Sequence, residues 1–263
     1  MELVVDGKRA YAYTAGRKLD ANLPSAVFVH GAANDHSAFL LQSRYFAYHG
    51  CNSLAVDLPG HGRSEGFSFT SIRAIADWIP ALLDAAGLAQ AAIVGHSMGS
   101  LASLECAARH PDRVRTLAMI GTAVPMPVGD ALMNAAREDS HDALDMLTIW
   151  GHSGSAQIGG NTVPGMWMTG AALRLIERAH PQVLHVDLRA CADYADGAAS
   201  AAKVRCPTLF VLGSRDMMTS PRNAKDLRAA ISGSRTVVLE GAGHSLMTER
   251  PDAVLDALIG FVA

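Results

Sequence analysis

A serine between two glycines, at the junction of an apolar run and a helix-forming run, is the feature that most constrains the fold. Gly95, Ser97 and Gly99 stand between the apolar residues 91–94 and the helix-forming residues 101–108. A turn this tight brings the strand and helix backbones together where a Cβ would clash, so glycine suits both flanks. Ser97 is then held in a strained conformation with its hydroxyl exposed at the end of a strand. The pattern G-x-S-x-G therefore predicts a strand, a sharp turn and a helix, with Ser97 as a candidate nucleophile.

The apolar runs of the chain predict an α/β fold. Runs typical of strands alternate with helical segments, which indicates a mostly parallel, doubly wound sheet. A chain of 263 residues with 49% hydrophobic residues is long enough for one large domain of this kind with an inserted subdomain. The eight predicted strands lie at residues 3–5, 10–13, 26–30, 53–56, 91–94, 115–120, 207–212 and 235–239.

The strand rhythm stops in the middle of the chain. Residues 122–202 contain no convincing strand, and residues 129–150 and 171–197 are predicted to be helical. We therefore predict a core domain at residues 1–121 and 203–263, with residues 122–202 inserted as a helical cap.

The predicted cap is rich in methionine and tryptophan, which suit an adaptable apolar pocket above Ser97. Packing between cap helices is the competing explanation for the same residues. The expected pocket residues are Met126, Met146, Trp150 and Trp167.

Two further residues follow predicted strands and complete a nucleophilic constellation with Ser97. Asp216 ends the run Gly-Ser-Arg-Asp after the seventh strand, and His244 ends Gly-Ala-Gly-His after the eighth. A serine needs a base to remove its proton, and the base needs a group that orients it. The carboxyl ends of parallel strands meet at one edge of a sheet, so the three side chains are expected to lie together.

Five pieces of the sequence, in this order, resemble the α/β-hydrolase fold superfamily, and the resemblance covers nearly the whole chain. They are Val-His-Gly-Ala, Asp-Leu-Pro-Gly-His-Gly-Arg-Ser, Gly-His-Ser-Met-Gly, Gly-Ser-Arg-Asp and Gly-Ala-Gly-His, at residues 29–32, 57–64, 95–99, 213–216 and 241–244.

The resemblance implies a role for each member of the site. Ser97 would be the nucleophile, His244 the general base and acid, and Asp216 the carboxylate that fixes the imidazole. The backbone N–H groups of Ala32 and Met98 would form the oxyanion hole. Serine at the elbow argues against the halide-displacing and epoxide-opening members, which usually carry aspartate there. No cofactor is implied.

Three functions are compatible with these residues. The leading hypothesis is a serine hydrolase, carboxylesterase-like, that cleaves a small carboxylic ester. The second is a C–C bond hydrolase of ring-fission products. Three arginines of the predicted cap could contact the carboxylate of such a substrate: Arg174, Arg178 and Arg189. The third is a ligand receptor or a cofactor-independent non-hydrolytic enzyme on the same fold, because fold alone does not determine function.

Composition and charge limit the kinds of partner that the protein is expected to bind. The net charge is −3 and no cluster of Lys and Arg indicates a nucleic-acid surface. No apolar run approaches the ~18 residues of a membrane span, and the charged start does not resemble a secretory signal. The four cysteines show no CxxC spacing and the histidines no HxH or HExxH spacing, so a cytoplasmic protein without a metal is expected. The expected partner is a small-molecule ester, and a homodimer is left open.

Overall fold

Eight strands form one sheet in the computed structural model of the chain, which describes residues 1–160, 162 and 165–262. Positions 161, 163 and 164 of the predicted cap and position 263 of the predicted core lie outside the described residues. The strands are β1 Glu2–Val5, β2 Lys8–Tyr13, β3 Ser25–Val29, β4 Asn52–Val56, β5 Ala91–His96, β6 Val114–Ile120, β7 Thr208–Gly213 and β8 Arg235–Leu239.

Twelve α-helices accompany the strands in the described part of the chain. Short 3-10 helices lie at His36–Phe39 and Pro111–Arg113. Among the described residues, no helix is both long enough and apolar enough to cross a bilayer. The α-helices are α1 Leu40–Tyr48, α2 Ile72–Ala85, α3 Met98–Arg109, α4 Asp130–Arg137, α5 His141–Trp150, α6 Gly154–Gln157, α7 Met168–Ile176, α8 Val183–Ala192, α9 Gly197–Ala201, α10 Lys225–Ala230, α11 Leu246–Glu249 and α12 Pro251–Leu258.

The strand order is β1-β2-β4-β3-β5-β6-β7-β8. The first hairpin, β1 with β2, and the pair β2–β4 are antiparallel, whereas every later pair is parallel. In the register of the central pair, Phe28 lies opposite Val94. This architecture confirms the predicted fold class, a mostly parallel eight-stranded sheet with helices on both faces.

Each central strand contributes side chains to two hydrophobic cores, one on each face of the sheet. Every residue of β3 is buried, and its side chains alternate between the faces of the sheet. Val27 and Val29 pack in the core that contains α2 and α3, whereas Ala26 and Phe28 pack in the core that contains α1 and α12. The burial of both faces fixes the register, so the strand ends that carry the candidate residues are held rigidly.

Between β6 and β7 the described residues form helices, and these helices are shorter than the sequence indicates. The helix predicted over 129–150 is two helices, α4 and α5, because the chain turns at Asp139, whose φ is 50°. The helix predicted over 171–197 is interrupted after α7, where Pro181 removes a backbone donor. Helices α4, α5, α7 and α8 pack on one another, while α9 packs against α3 and α10.

The glycine that precedes Ser97 provides a test of the close approach between β5 and α3. A Cβ on Gly95 would lie 2.2 Å from the Gly99 carbonyl oxygen and 2.4 Å from Ser103 Oγ. We expect Gly95→Ala to lower the free energy of unfolding by about 1–3 kcal/mol, because backbone atoms must shift to accept the methyl group. Urea unfolding measures this. The matched control is Gly154→Ala, since a Cβ there meets nothing within 4 Å. Equal unfolding midpoints for the two variants would contradict the argument.

Candidate active site

Ser97 occupies the turn between β5 and α3 in a conformation that few non-glycine residues adopt. Its φ is 52° and its ψ is −118°. The Ser97 N–H donates to the Ile120 carbonyl oxygen over 3.0 Å, which ties the turn to β6. On the other side, a Cβ on Gly99 would lie 2.2 Å from the Val29 carbonyl oxygen, so only glycine lets α3 come this close to β3. Tertiary packing thus holds the strained serine in place.

His244 and Asp216 form a buried pair at the ends of the two neighbouring strands. His244 Nδ1 lies 2.8 Å from Asp216 Oδ2. Thr219 Oγ1 donates to the same carboxylate oxygen over 2.7 Å and lies 3.1 Å from His244 Nδ1. The other oxygen, Oδ1, accepts the N–H groups of Met218 and Thr219 at 2.8 and 2.7 Å. The carboxylate is therefore fixed by four donors and orients the imidazole through Nδ1.

The surroundings of Asp216 favour its ionised form. Burial alone would raise its pKa, but the His244 charge and the hydrogen bonds from His244 and Thr219 outweigh burial and hold the pKa well below the usual range. A carboxylate that stays ionised in a buried site stabilises a positive charge on the neighbouring imidazole. This is the electrostatic requirement of a histidine that accepts a proton from serine.

His96 braces His244 from the opposite side. Its Nε2 lies 2.9 Å from the His244 carbonyl oxygen, and the two rings are 4.7 Å apart between centroids. Burial and the neighbouring His244 lower the pKa of His96 to about 3, so its ring is neutral. Nε2 therefore carries the proton and donates it to the carbonyl, which makes His96 a support for the backbone of His244.

The backbone groups expected to form an oxyanion hole lie at two different elements. Met98 is the first residue of α3, so its N–H is one of those that have no partner within the helix. Ala32 lies in a turn that is closed by the Asn34 N–H on the Gly31 carbonyl oxygen, at 3.2 Å. The positive end of the α3 dipole adds to the attraction of this region for negative charge.

A cavity of about 1080 Å³ opens between the sheet and the segment that joins β6 to β7, here called the insert, and both Ser97 and His244 line it. Two of the four expected pocket residues, Met126 and Trp150, line the cavity as well. The structure places the other two elsewhere. Met146 packs among the helices of the insert, and Trp167 is 73% exposed with its indole against Gly170.

Three of the four arginines in residues 122–202 are paired with carboxylates. Arg174 contacts Glu177 at 2.6 Å, and Arg178 contacts Asp35 at 3.0 Å, both at the edge of the cavity. Arg189 contacts Asp193 at 2.7 Å and does not line the cavity. These pairs hold the guanidinium groups away from a free anion-binding role.

One group of side chains in the described residues has the composition of a metal site. Asp35, His36 and Asp57 bring their ligand atoms within 4.8 Å of one another. The carboxylate oxygens are engaged, however. Asp57 Oδ1 accepts from the N–H and Nδ1 of His36 at 2.7 and 2.8 Å, and Oδ2 accepts the Arg63 N–H at 2.8 Å. The group thus braces the loops after β3 and β4.

Two residues that sequence reasoning missed contact the candidate site. Thr219 donates to the Asp216 carboxylate. The sequence feature that could have indicated this contact is the position of a threonine three residues after a loop aspartate. Asp187 of α8 is 1% exposed and accepts the Ala33 N–H beside Ala32. Its signal is a charge at an apolar position of an amphipathic helix, since the neighbouring residues of that face are buried.

The chain matches the Alpha/beta hydrolase family over residues 26–257. It is 33% identical over 214 residues to a pimeloyl-[acyl-carrier protein] methyl ester esterase of Neisseria meningitidis, covering 76% of this chain and 78% of the relative. It is 25% identical over 260 residues to an sn-1-specific diacylglycerol lipase of Mus musculus, covering 93% of this chain and 82% of the relative.

A solved structure shares the fold over the whole chain. The enol-lactonase from Burkholderia xenovorans LB400 superposes with a TM-score of 0.87 and covers 99% of both chains. The sequence identity is 24%, so this likeness supports the architecture.

The depressed pKa of Asp216 predicts how stability depends on pH. An aspartate whose native pKa is lowered stabilises the fold fully above its unfolded value, 3.8, and loses that contribution as the pH falls toward the native pKa. Asp216→Asn removes this pH-dependent contribution to the free energy of unfolding. We therefore expect the difference in unfolding free energy between wild type and Asp216→Asn to shrink as the pH falls below about 4.

Urea unfolding of both proteins at pH 7, 4 and 3 would measure this difference. Ser97→Ala is the control, because it removes no carboxylate and its difference from wild type should not follow pH. A wild type–Asp216→Asn difference that grew on acidification would contradict the assignment of the lowered pKa.

Proposed function

Because the chain belongs to the alpha/beta hydrolase family, we propose that it is a serine hydrolase that cleaves a small carboxylic ester through an acyl-enzyme on Ser97. The protein is an enzyme of the alpha/beta hydrolase family, and its named relatives are an esterase and a lipase. The observation that carries the proposal is the buried pair of His244 Nδ1 and Asp216 Oδ2, at 2.8 Å, in the wall of the cavity that Ser97 also lines.

The bond to Asp216 determines which nitrogen of His244 takes part in acylation. Asp216 occupies Nδ1 of His244, which leaves Nε2 as the nitrogen that accepts the Ser97 proton. Ser97 Oγ attacks the ester carbonyl and forms a tetrahedral intermediate. The intermediate collapses when the imidazolium gives its proton to the departing alcohol. Ser97 then carries the acyl group, and His244 is neutral again.

Deacylation repeats the same steps with water. His244 removes a proton from the water as it attacks the acyl carbon, and the proton passes to Ser97 Oγ as the acid leaves. In both halves the negative charge develops on the former carbonyl oxygen. The N–H groups of Ala32 and Met98 would bind that oxygen, and each such donor contributes about 3 kcal/mol in comparable sites.

The cavity favours an ester with an apolar acyl or alcohol group. Its lining is mostly aliphatic and methionine side chains from the core loops and from the insert. Its volume of about 1080 Å³ leaves room for more than the reacting ester group. The relatives named above include a methyl ester esterase and a diacylglycerol lipase, and the substrate in each name is an ester that carries an acyl group.

No observation favours either of the two other hypotheses. A C–C hydrolase was suggested by the insert's arginines, and these are paired with carboxylates. A receptor that binds its ligand without turnover would not need an ionised aspartate on the imidazole. Turnover of a ring-fission product without ester hydrolysis would favour the first, and tight ligand binding without turnover would favour the second.

Covalent labelling tests the nucleophile. A fluorophosphonate probe should add its mass to Ser97, because the activated hydroxyl attacks phosphorus as it attacks a carbonyl. Ser97→Ala should abolish labelling and lower kcat for ester hydrolysis at least about 10⁴-fold. Ser232→Ala, at an exposed serine, is the control and should label like wild type. Intact-mass spectrometry gives the result, and a folded wild type that does not label would refute the proposal.

A panel of p-nitrophenyl esters of increasing acyl length tests the pocket. Each added methylene that enters the cavity should raise kcat/KM about fourfold, which corresponds to ~0.8 kcal/mol, until the chain reaches the wall. Ala172→Phe places a ring in the lining and should move the optimum to shorter chains. Ala230→Phe, at an exposed position of α10, should leave it unchanged. An optimum that does not move in Ala172→Phe would contradict acyl binding in this cavity.

A further inference from the structure

We propose that Asp187, on α8 of the insert, is a positioning residue for the oxyanion hole: it holds Ala33 and so fixes the N–H of Ala32. The inference rests on the proposed function, because it concerns the transition state of that reaction. Asp187 lies 154 residues from Ala33 in the sequence, and its Oδ2 accepts the Ala33 N–H over 2.9 Å. Asp187 does not line the cavity, so it acts through the loop.

The loop that Asp187 holds is strained. Ala33 has a φ of 53°, a left-handed conformation that costs a non-glycine residue roughly 1–2 kcal/mol. Within the loop, the Asn34 N–H reaches the Gly31 carbonyl oxygen and Asn34 Nδ2 reaches the Ala32 carbonyl oxygen over 2.8 Å. Neither bond engages the Ala33 N–H, whereas Asp187 does. The bond therefore fixes the peptide that joins Ala32 to Ala33, and with it the direction of the neighbouring Ala32 N–H.

Asp187 is itself fixed by His61. The side chains are 1% and 2% exposed, and His61 Nε2 lies 2.8 Å from Asp187 Oδ2. His61 Nδ1 lies 3.1 Å from the Pro59 carbonyl oxygen. Both ring nitrogens thus face acceptors, so both carry protons and the ring is cationic. Burial alone would lower the pKa of His61, but the Asp187 carboxylate and the hydrogen bonds to it and to Pro59 outweigh burial and raise the pKa.

The next ring in the network is neutral and reaches the start of the same loop. His30 lies 4.9 Å from His61 between centroids, and burial together with the His61 charge lowers the pKa of His30 to about 4. Its Nδ1 donates to the Gly31 carbonyl oxygen at 2.8 Å, and its Nε2 accepts the Leu58 N–H at 3.1 Å. The loop is therefore held at Gly31 from the core and at Ala33 from the insert.

The contact makes the oxyanion loop depend on the seating of the insert. Helix α8 packs against α3, which starts at Met98, and against α4. A shift of α8 would move the Asp187 carboxylate and release Ala33. The Arg178–Asp35 pair also joins the insert to this loop, but Arg178 is 65% exposed, and such pairs contribute little.

The experiment compares variants of Asp187 with Asp193→Leu in the full chain. Asp187→Leu fills a similar volume but cannot accept the Ala33 N–H. Asp187→Asn keeps an oxygen that can accept both the Ala33 N–H and the Nε2–H of His61, because both groups contact the same oxygen, Oδ2, in wild type. Asp193 lies just after α8, exposed, and its change to leucine removes the same charge without touching the loop. Asp187→Ser, too short to reach Ala33, replaces Asp187→Leu if circular dichroism shows that the leucine variant is unfolded.

Three measurements follow: kcat and KM for the best ester of the panel, and the affinity of a trifluoromethyl ketone, whose adduct places an oxyanion in the hole. We expect Asp187→Leu to lower kcat about 10- to 100-fold with KM within about twofold of wild type. The ketone affinity should fall in proportion to kcat/KM, and Asp187→Asn should recover most of both. Asp193→Leu should behave as wild type.

A folded Asp187→Leu or Asp187→Ser variant with the kcat and ketone affinity of Asp193→Leu would overturn the inference. So would a rise in KM without loss of ketone affinity, since that pattern indicates a distorted substrate pocket. Failure of wild type to label at Ser97 with fluorophosphonate would refute the proposed function itself, and the inference with it. Wild-type labelling therefore separates the two failures.

Discussion

The strained turn at Ser97 is the constraint on which the rest of the site depends. A non-glycine residue at φ 52° and ψ −118° costs on the order of 1–3 kcal/mol, and nothing within the turn itself repays that cost. The cost is met by β5 and α3, which are buried on all sides and packed through Gly95 and Gly99 at distances that exclude a methyl group. Because these contacts join β5 to α3 and α3 to β3, the half-buried serine keeps its place at the sheet edge only while these three elements stay packed together.

The insert is attached to this core by buried carboxylates, each at a segment that carries part of the site. Besides the aspartate of α8, Glu249 accepts the N–H groups of Ser153 in the insert and Gly243 beside the candidate histidine, at 3.3 and 3.1 Å. Glu105 of α3 accepts the Tyr194 hydroxyl over 2.7 Å. Unpaired buried carboxylates are expensive, so each is satisfied only when insert and core meet correctly. The position of the insert over the cavity and the geometry of the loops at the candidate site are consequently set together.

Sequence reasoning succeeded where short-range rules decide the structure. The strands are continuous apolar runs, and Ser97, Asp216 and His244 each follow one, so their common edge was predictable from topology. It failed where contacts join distant segments. The apolar neighbours of Asp187 on its helix indicate a buried carboxylate, but only the fold shows that it meets a loop 154 residues away. The same limit applies to Trp167: its position in the sequence places it in the insert, but only the fold shows that it faces solvent just before α7.

An apolar cavity of this size selects substrates by length more than by chemical identity. Hydrophobic contact has no direction, so a methylene that fits the cavity contributes in the same way whatever the chemistry of the chain that carries it. Directional selection would need a polar group free to bind the substrate. At the cavity edge the guanidinium groups of Arg174 and Arg178 are engaged by Glu177 and Asp35. Each guanidinium group at this edge has a carboxylate beside it, so the edge gives an acidic ester little advantage over a neutral one. For the proposed reaction, the loops of the core would therefore define the chemistry, and the space beneath the insert would limit the length of the ester.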